Sequence, residues 1–150
     1  MKISANNLNR FLFFKLPAAW WTGVRVSTLT PKTCEVTVTH RWINQNPFKS
    51  MYFAVQAMAA ELATGALVMW HIKKSDTKIS MLVAENKSLF TKKATGKINF
   101  LCLDDEIVQK SIAKAIATKE GQTFWLKAEG KNADGVIVSN FEFKWTIKAK

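Results

Sequence analysis

A single carboxylate, Glu61, lies in the most apolar stretch of the sequence. Among residues 50–72 it is the only formally charged side chain, and seven of the other positions are Ala or Gly. Small side chains let a neighbouring element approach closely, so we expect this carboxylate to be poorly hydrated and its pKa to be raised. Such a group could activate a water molecule or attack an acyl carbon directly. The alternative is a structural Glu at a helix surface or a dimer interface, paired with Arg or Lys.

The other residues with reactive side chains give weaker signals. Cys34 and Cys102 each fall on the apolar face of a predicted strand, so we interpret them as buried hydrophobic residues rather than nucleophiles. His40 shares such a face and is interpreted as a core histidine, while His71 falls near a predicted helix end. Two Cys and two His at these spacings form no ligand cluster. The sequence therefore predicts no metal site and no bound cofactor.

Hydrophobic periodicity places Glu61 on a long central helix. Asn46 can cap this helix with Pro47 at its first position, and the apolar pattern continues to about His71. Shorter helices are predicted at 4–16 and from 104 to Gly121. The strand patterns cover residues 24–30, 34–42, 78–91, 94–103, 122–130 and 135–148.

The order of these elements is helix, hairpin, long helix, hairpin, short helix, hairpin. Strands joined as hairpins imply an antiparallel sheet, and an apolar helix needs a curved sheet wrapped around it. We therefore predict one α+β domain over residues 1–150, with a short N-terminal helix and about six strands. The apolar stretch approaches membrane length, but its carboxylate and the half-buried strand patterns elsewhere favour a core helix over a membrane span.

The chain is strongly basic, with 22 Lys and Arg against 11 Asp and Glu and a formal net charge of +11. This charge points to an anionic partner: nucleic acid, a membrane surface or a phosphorylated small molecule. The basic residues are spread along the chain without an Arg cluster or an exposed aromatic ladder, which disfavours nucleic acid. The apolar run 11–14 is interrupted by Lys15 before it reaches signal length, so we expect a cytoplasmic protein.

Several segments resemble the hot-dog-fold thioesterase superfamily, and most closely a branch of largely uncharacterised bacterial proteins. The resemblance covers nearly the whole chain. The segments that carry it are Ala19-Trp20-Trp21-Thr22-Gly23, Arg41 through Asn46, the helix start at 46–53, and Met58-Ala59-Ala60-Glu61 to Gly65. The resemblance implies a single-domain hot-dog fold with a curved antiparallel sheet of about six strands around a long central helix.

The resemblance also implies roles for residues of the central helix. Asn46 matches an amide residue that positions the substrate carbonyl or water, and Glu61 matches the carboxylate that acts as base or nucleophile. The backbone N–H of Phe53 matches the group that polarises the thioester carbonyl from the helix amino end. At this point the family's His-Gly-Gly is replaced by Tyr52-Phe53-Ala54. Tyr52, Gln56 and Thr64 are the candidates for substrate binding or for orienting water and Glu61.

The function that follows is hydrolysis of an acyl thioester carried on coenzyme A or on acyl carrier protein. The resemblance implies a homodimer, or a pair of such dimers, because the carboxylate of one subunit faces the N–H of the other. The alternative is a non-catalytic hot-dog protein that binds an acyl chain or another apolar ligand, which the bulk of Tyr52 and Phe53 would suit. A nucleic-acid-binding surface is the third and least favoured hypothesis.

Overall fold

The structure, a computed structural model, describes residues 3–150. Met1 and Lys2 lie outside the described residues. They are the first two residues of the predicted domain and of the amino-terminal segment that is not predicted to be a signal sequence. The helices are α1 (Ala5–Lys15), α2 (Pro17–Trp21), α3 (Phe53–Lys74) and α4 (Asp105–Thr118). The strands are β1 (Arg25–Leu29), β2 (Cys34–Thr39), β3 (Ile79–Phe90), β4 (Lys97–Cys102), β5 (Gln122–Lys131) and β6 (Ile137–Ala149).

The six strands form one sheet in the order β1-β2-β4-β5-β6-β3, and every pairing is antiparallel. Apolar residues alternate along β2, β4, β5 and β6, so one face of the sheet is covered and the other is accessible to solvent. The covered face packs on α3, which contacts five of the six strands. The predicted α+β class with an antiparallel sheet around a long helix is therefore confirmed.

The central helix is enclosed because it is apolar all round. Residues 62–68 are buried without interruption, which covers every side of the helix rather than one stripe. By length and composition Phe53–Lys74 could cross a membrane, but 61% of its most apolar window is buried against the rest of the protein. His71, Lys73 and Lys74 occupy its last turn, where positive charge stabilises the helix dipole. The helix is therefore part of the protein core, packed on the covered face of the sheet.

The predicted start of this helix at Pro47 is wrong. The helix begins at Phe53, and residues 46–51 form a separate turn in which Lys49 has a φ of 60°. The Asn46 side-chain oxygen accepts hydrogen bonds from the backbone N–H groups of Phe48 (2.9 Å) and Ser50 (3.2 Å). An Asn side chain that binds the nearby backbone in this way competes with helix formation, which delays the helix by six residues.

The predicted strand over 34–42 also ends early. β2 stops at Thr39, His40 is only partly buried, and Trp42 begins a short 3-10 helix (Trp42–Asn44) with 82% of its surface exposed. The buried Asn44 causes this bend. Its side chain accepts from the Arg41 N–H at 2.8 Å and donates to the carbonyl oxygens of Thr22 and Thr39, both at 2.9 Å.

The predicted hairpin between the third and fourth strands is not formed. β3 pairs only with β6, whereas β4 lies between β2 and β5. Residues 91–96 carry the chain from one side of the sheet to the other. β3 is consequently an edge strand, and β1 is the opposite edge.

The close approach of β5 to its neighbours provides a test of the packing. A Cβ atom added to Gly130 would lie 2.6 Å from Cε1 of the buried Phe100 and 2.7 Å from Oγ of the buried Ser139. We expect Gly130→Ala to lower the free energy of unfolding by about 1–3 kcal/mol, because neither neighbour can move aside without disturbing the core.

Urea unfolding measures this effect, with Gly121→Ala as the matched control. At Gly121 the nearest atom to an added Cβ is the Ile147 carbonyl oxygen at 3.8 Å, and the residue is exposed. That control should change stability by no more than about 0.5 kcal/mol. Equal losses in the two variants would contradict the packing described at Gly130.

Candidate active site

An open groove of about 500 Å³ lies at the amino end of α3. Four of the predicted site residues line it: Asn46, Tyr52, Phe53 and Gln56. The opposite side of the groove comes from the end of β3 and the segment after it, residues 90–94. The fold therefore brings together two parts of the chain that are about forty positions apart in sequence.

The first helical residue presents an unpaired donor to this groove. Phe53 opens α3, and within residues 3–150 its backbone N–H has no hydrogen-bond acceptor. N–H groups of the first helical turn have no partner inside the helix, and the helix dipole makes them favourable donors to a developing negative charge. The Phe53 side chain is 54% exposed and packs edge-to-face against Tyr52 and Phe90. Its ring lies at the rim of the groove.

Gln56 provides an unsatisfied acceptor in the same groove. The residue is 4% exposed, and its Oε1 has no donor within the described part of the chain. A buried oxygen without a partner costs about 1–3 kcal/mol, so a water molecule or a ligand donor at this position would be stabilising.

Asn46 reaches the groove but uses its side chain on its own loop. Its Nδ2 donates to Ser50 Oγ at 3.0 Å and to the Met51 carbonyl oxygen at 3.3 Å, and its Oδ1 is occupied as described above. These bonds determine the path of residues 46–51 immediately before the first turn of α3. The contribution that the geometry supports for Asn46 is the positioning of this turn.

Glu61 lies elsewhere, in a separate cavity of about 70 Å³. The corner between α1 and α2 closes this cavity, which is lined by Leu12, Leu16, Ala18, Ala19, Met58 and Leu62. Burial raises the pKa of the Glu61 carboxyl above its ordinary value of 4.5, as the sequence predicts. Within residues 3–150 no Lys or Arg pairs with it. A structural ion pair within one chain is thus absent among the described residues, while pairing across a dimer interface is a separate alternative.

Thr64 stabilises the backbone beside this carboxylate. It is fully buried, and its hydroxyl donates to the Glu61 carbonyl oxygen at 2.9 Å while accepting from Trp145 Nε1 at 3.0 Å. The same indole lies 3.0 Å from the position of a Cβ at Gly65. Both contacts hold α3 against β6, so Thr64 affects Glu61 through the position of the helix.

A single chain does not bring the two predicted catalytic groups together. Phe53 and Glu61 are eight residues apart on one helix, which corresponds to about 12 Å at 1.5 Å per residue. A carbonyl oxygen hydrogen-bonded to the Phe53 N–H is therefore too distant for attack by the carboxylate of the same chain. The candidate groups therefore lie in two separate places, the groove and the Glu61 cavity, which we call the two half-sites.

Lys92 and Lys93, which the sequence offers either as solvated turn residues or as contacts for a carrier phosphate, line the groove beside Phe90. Sequence reasoning missed Leu12 and Leu16, which enclose Glu61. No local pattern marks these two positions, because helical Leu residues occur in many other roles. Among residues 3–150 there is no group of three or more His, Cys, Asp or Glu that could hold a metal ion.

The architecture around these half-sites is the hot-dog fold, and solved structures with this fold match nearly the entire chain. PA5026 of Pseudomonas aeruginosa, described as a protein of unknown function and "Probable Thioesterase", has 21% identity and a TM-score of 0.79, covering 97% of this chain and 96% of its own. OLEI01261 of Chlorobaculum tepidum, of unknown function, has 16% identity and a TM-score of 0.84, covering 97% and 94%. The thioesterase HI1161 of Haemophilus influenzae has 10% identity and a TM-score of 0.74, covering 99% and 93%.

The structural neighbours of the protein are thus hot-dog-fold thioesterases, as the sequence resemblance implies. A family model described as "Domain of unknown function (DUF4442)" matches residues 5–147, and the chain belongs to this family. No curated protein matches the sequence. At these identities the solved structures establish the fold.

The raised pKa of Glu61 predicts a pH-dependent stability. Because the folded state holds the proton more tightly than the unfolded state, wild-type stability falls as the pH rises from 4.5 through the raised pKa. The Glu61→Gln variant has no ionisable group at this position. Its free energy of unfolding, relative to that of the wild type, should therefore increase across that pH interval and stay constant below it. Urea unfolding between about pH 4 and pH 8, at a fixed protein concentration, measures the difference. Glu106→Gln, at an exposed position on α4, is the control and should follow the wild type.

Proposed function

We propose that this protein hydrolyses acyl thioesters carried on coenzyme A or acyl carrier protein, with Glu61 as the reacting carboxylate. The observation that carries the proposal is a partly buried carboxylate that has no cationic partner among residues 3–150, on the central helix of a hot-dog fold. Keeping a carboxyl group in apolar surroundings costs stability, and functional sites are where such a cost is commonly retained. The thioesterase descriptions of PA5026 and HI1161 support the same reaction class.

In this proposal Glu61 takes a proton from water while the water oxygen adds to the thioester carbonyl carbon. The negative charge that develops on the carbonyl oxygen is stabilised by the Phe53 N–H at the helix amino end. The tetrahedral intermediate then expels the thiolate, which receives the proton from Glu61, leaving a carboxylic acid and a free thiol. A raised pKa makes Glu61 a stronger base near neutral pH than an ordinary carboxylate. Direct attack by Glu61, followed by hydrolysis of the anhydride, is the variant of this mechanism in which the carboxylate is the nucleophile.

The separation of the two half-sites requires a second subunit. We propose a homodimer in which Glu61 of one protomer faces the groove of the other, and β3 is the strand that supports this pairing. β3 has twelve residues, pairs on one side only, and exposes Leu82 and Leu89 by 66% and 61%. A long edge strand with exposed apolar residues is prone to pair with another chain, so pairing of two copies along β3 would protect it. Association of such dimers into a pair of dimers is compatible with this arrangement.

The remaining predicted residues have supporting roles, three of them in the groove and one, Thr64, beside Glu61. Gln56 orients the water or the substrate through its unpaired Oε1, and Tyr52 contacts the substrate at the rim. Asn46 and Thr64 act by positioning the first turn of α3 and the backbone of Glu61. Lys92 and Lys93 border the groove, and such cations suit the phosphates of an acyl carrier. We place this activity in one hot-dog domain spanning 1–150, with no cofactor, and in the cytoplasm.

A second candidate is a non-catalytic protein that binds an acyl chain or another apolar ligand. The rings of Tyr52 and Phe53, 5.0 Å apart between centroids, border the groove where the family pattern has His and Gly. Under this alternative an acyl-coenzyme A ester would bind without turnover, and Glu61→Gln would leave its affinity unchanged.

Hydrolysis of a panel of acyl-coenzyme A and acyl-carrier-protein esters tests the main proposal. We expect Glu61→Gln to lower kcat/KM by about 100-fold or more, because the proton acceptor is lost while the shape of the cavity is kept. Glu106→Gln provides the matched control at an exposed carboxylate and should retain the wild-type rate. Full activity of Glu61→Gln would remove the assigned role, and binding without turnover by the wild type would favour the second candidate.

The composite site makes activity depend on the β3 edge. We expect the double variant Leu82→Arg/Leu89→Arg to be monomeric in analytical ultracentrifugation and to lose hydrolysis, because like charges would face each other along the paired edges. Leu103→Arg is the matched control, since Leu103 is 60% exposed before α4 and is not on β3. A monomeric wild type with full activity would contradict the two-subunit site.

A further inference from the structure

Four aromatic side chains remain largely exposed on α1, on α2 and at the turn after β2. Phe13 is 46% exposed, Phe14 72%, Trp21 67% and Trp42 82%. Exposed apolar residues scattered singly are ordinary, but a cluster of large rings marks an interaction surface. Neither half-site is lined by Phe13, Trp21 or Trp42, so the proposed reaction does not account for them.

Ring contacts on α1 and α2, and one hydrogen bond between residues near Trp21 and Trp42, place these aromatic residues in one region. The Phe13 ring packs edge-to-face on Phe14 and on Trp20, with centroids 4.8 and 5.4 Å apart, and Arg25 Cζ lies 3.5 Å from the Trp20 ring centre. The end of α2 is joined to the turn that begins at Trp42 by the hydrogen bond from Asn44 to the Thr22 carbonyl oxygen. The turn after β2 therefore lies beside the α1–α2 corner.

Apart from Glu61, whose cavity the α1–α2 corner closes, the charged residues of this region are basic. Residues 1–34 contain no Asp or Glu. Arg10 and Lys15 line a surface groove of α1 together with Phe14. Burial, and then the nearby charge of Arg41, lower the pKa of Arg25. The ion pairs within residues 3–150 use Lys127, Lys131 and Lys144 only, so the cations of this region are not neutralised by the described carboxylates. We call Phe13, Phe14, Trp21 and Trp42, with Arg10, Lys15 and Arg41, the aromatic–basic surface.

We propose that the aromatic–basic surface docks the protein on an anionic lipid membrane. Trp and Phe rings enter the boundary between headgroups and acyl chains, while Arg and Lys bind the lipid phosphates. α1 has the required form, because Leu8 and Leu12 are buried in the core while Phe13 and Phe14 are exposed. The aliphatic Leu16 and Ile43, 42% and 49% exposed, extend the apolar area and suit acyl chains better than stacked bases.

The position of this surface separates it from the edge proposed for dimer formation. Arg25 belongs to β1, which is the edge of the sheet opposite β3. Pairing along β3 therefore does not itself cover this surface, and Phe13, Trp21 and Trp42 are not among the residues that line the Glu61 cavity, which the proposed dimer places against the partner's groove. Docking of this kind does not depend on thioester hydrolysis, so it can be tested on the full chain whether or not the enzyme proposal holds.

Sedimentation with lipid vesicles tests the proposal. We expect binding to vesicles of mixed phosphatidylcholine and phosphatidylglycerol at low ionic strength, weaker binding as salt is added, and no binding to phosphatidylcholine alone. Trp21→Ala/Trp42→Ala keeps the net charge and should weaken vesicle binding by about tenfold or more. Arg10→Gln/Lys15→Gln should weaken it by about 30-fold, as expected for the loss of two cations at a membrane surface.

The matched control is Lys110→Gln/Lys114→Gln, which removes the same charge from exposed positions on α4. It should change vesicle binding by no more than about twofold if the local surface matters rather than the total charge. Three results with vesicles would overturn the proposal: no binding to the anionic vesicles, equal losses in the control and the Arg10/Lys15 variant, or binding unaffected by loss of both Trp residues. Two further results would overturn it by identifying a different partner: dissociation of a dimer by the Trp variant, or Trp-dependent binding to nucleic acid alone.

Discussion

The close contact between α3 and β6 is the constraint on which the rest of the structure depends. At Gly65 the helix backbone approaches the Trp145 indole so closely that a Cβ would lie 3.0 Å from two of its carbons. The same indole donates to Thr64, whose hydroxyl also holds the carbonyl of Glu61. A larger residue at position 65 would force the indole or the helix to shift, together with the carboxylate. The sheet curvature, the burial of the helix and the position of Glu61 are thus coupled through one contact.

This coupling explains why the carboxylate is isolated from the groove. The amino end of α3 lies at the groove, and the middle of α3 lies at the α1–α2 corner. The rise of the helix along its axis separates these two places. Neither half-site is sufficient for the proposed chemistry by itself. Leu16 links the Glu61 cavity with the exposed apolar area near α1, since it lines the first and is 42% exposed. The α1–α2 corner therefore contributes both to the enclosure of Glu61 and to the outer surface of the protein.

Much of the fold was predictable from periodicity, and the errors have specific causes. The strand patterns identified four of the six strands to within two residues at each end, and the apolar stretch identified the central helix. Pro47 was a misleading signal because the Asn46 side chain competes for the backbone that a helix would use. Trp42 was assigned to a strand because its alternation is regular, yet the Asn44 hydrogen bonds turn the chain at that point. For the site, the low hydration and raised pKa of Glu61 were predictable because they follow from its apolar neighbours, whereas the roles of the six site residues stay predictions.

By itself the sequence determined the class of fold, the burial of one long helix and the singular position of Glu61. These properties follow from local patterns, namely hydrophobic period and the absence of other charges. Only the tertiary structure decided that β3 is an edge strand, that Lys92 and Lys93 border the groove, and that the α1–α2 corner covers the carboxylate. Each of these depends on which distant segments pair or pack together. Since many strand orders can satisfy the same local patterns, that choice is made by the packing of the complete chain.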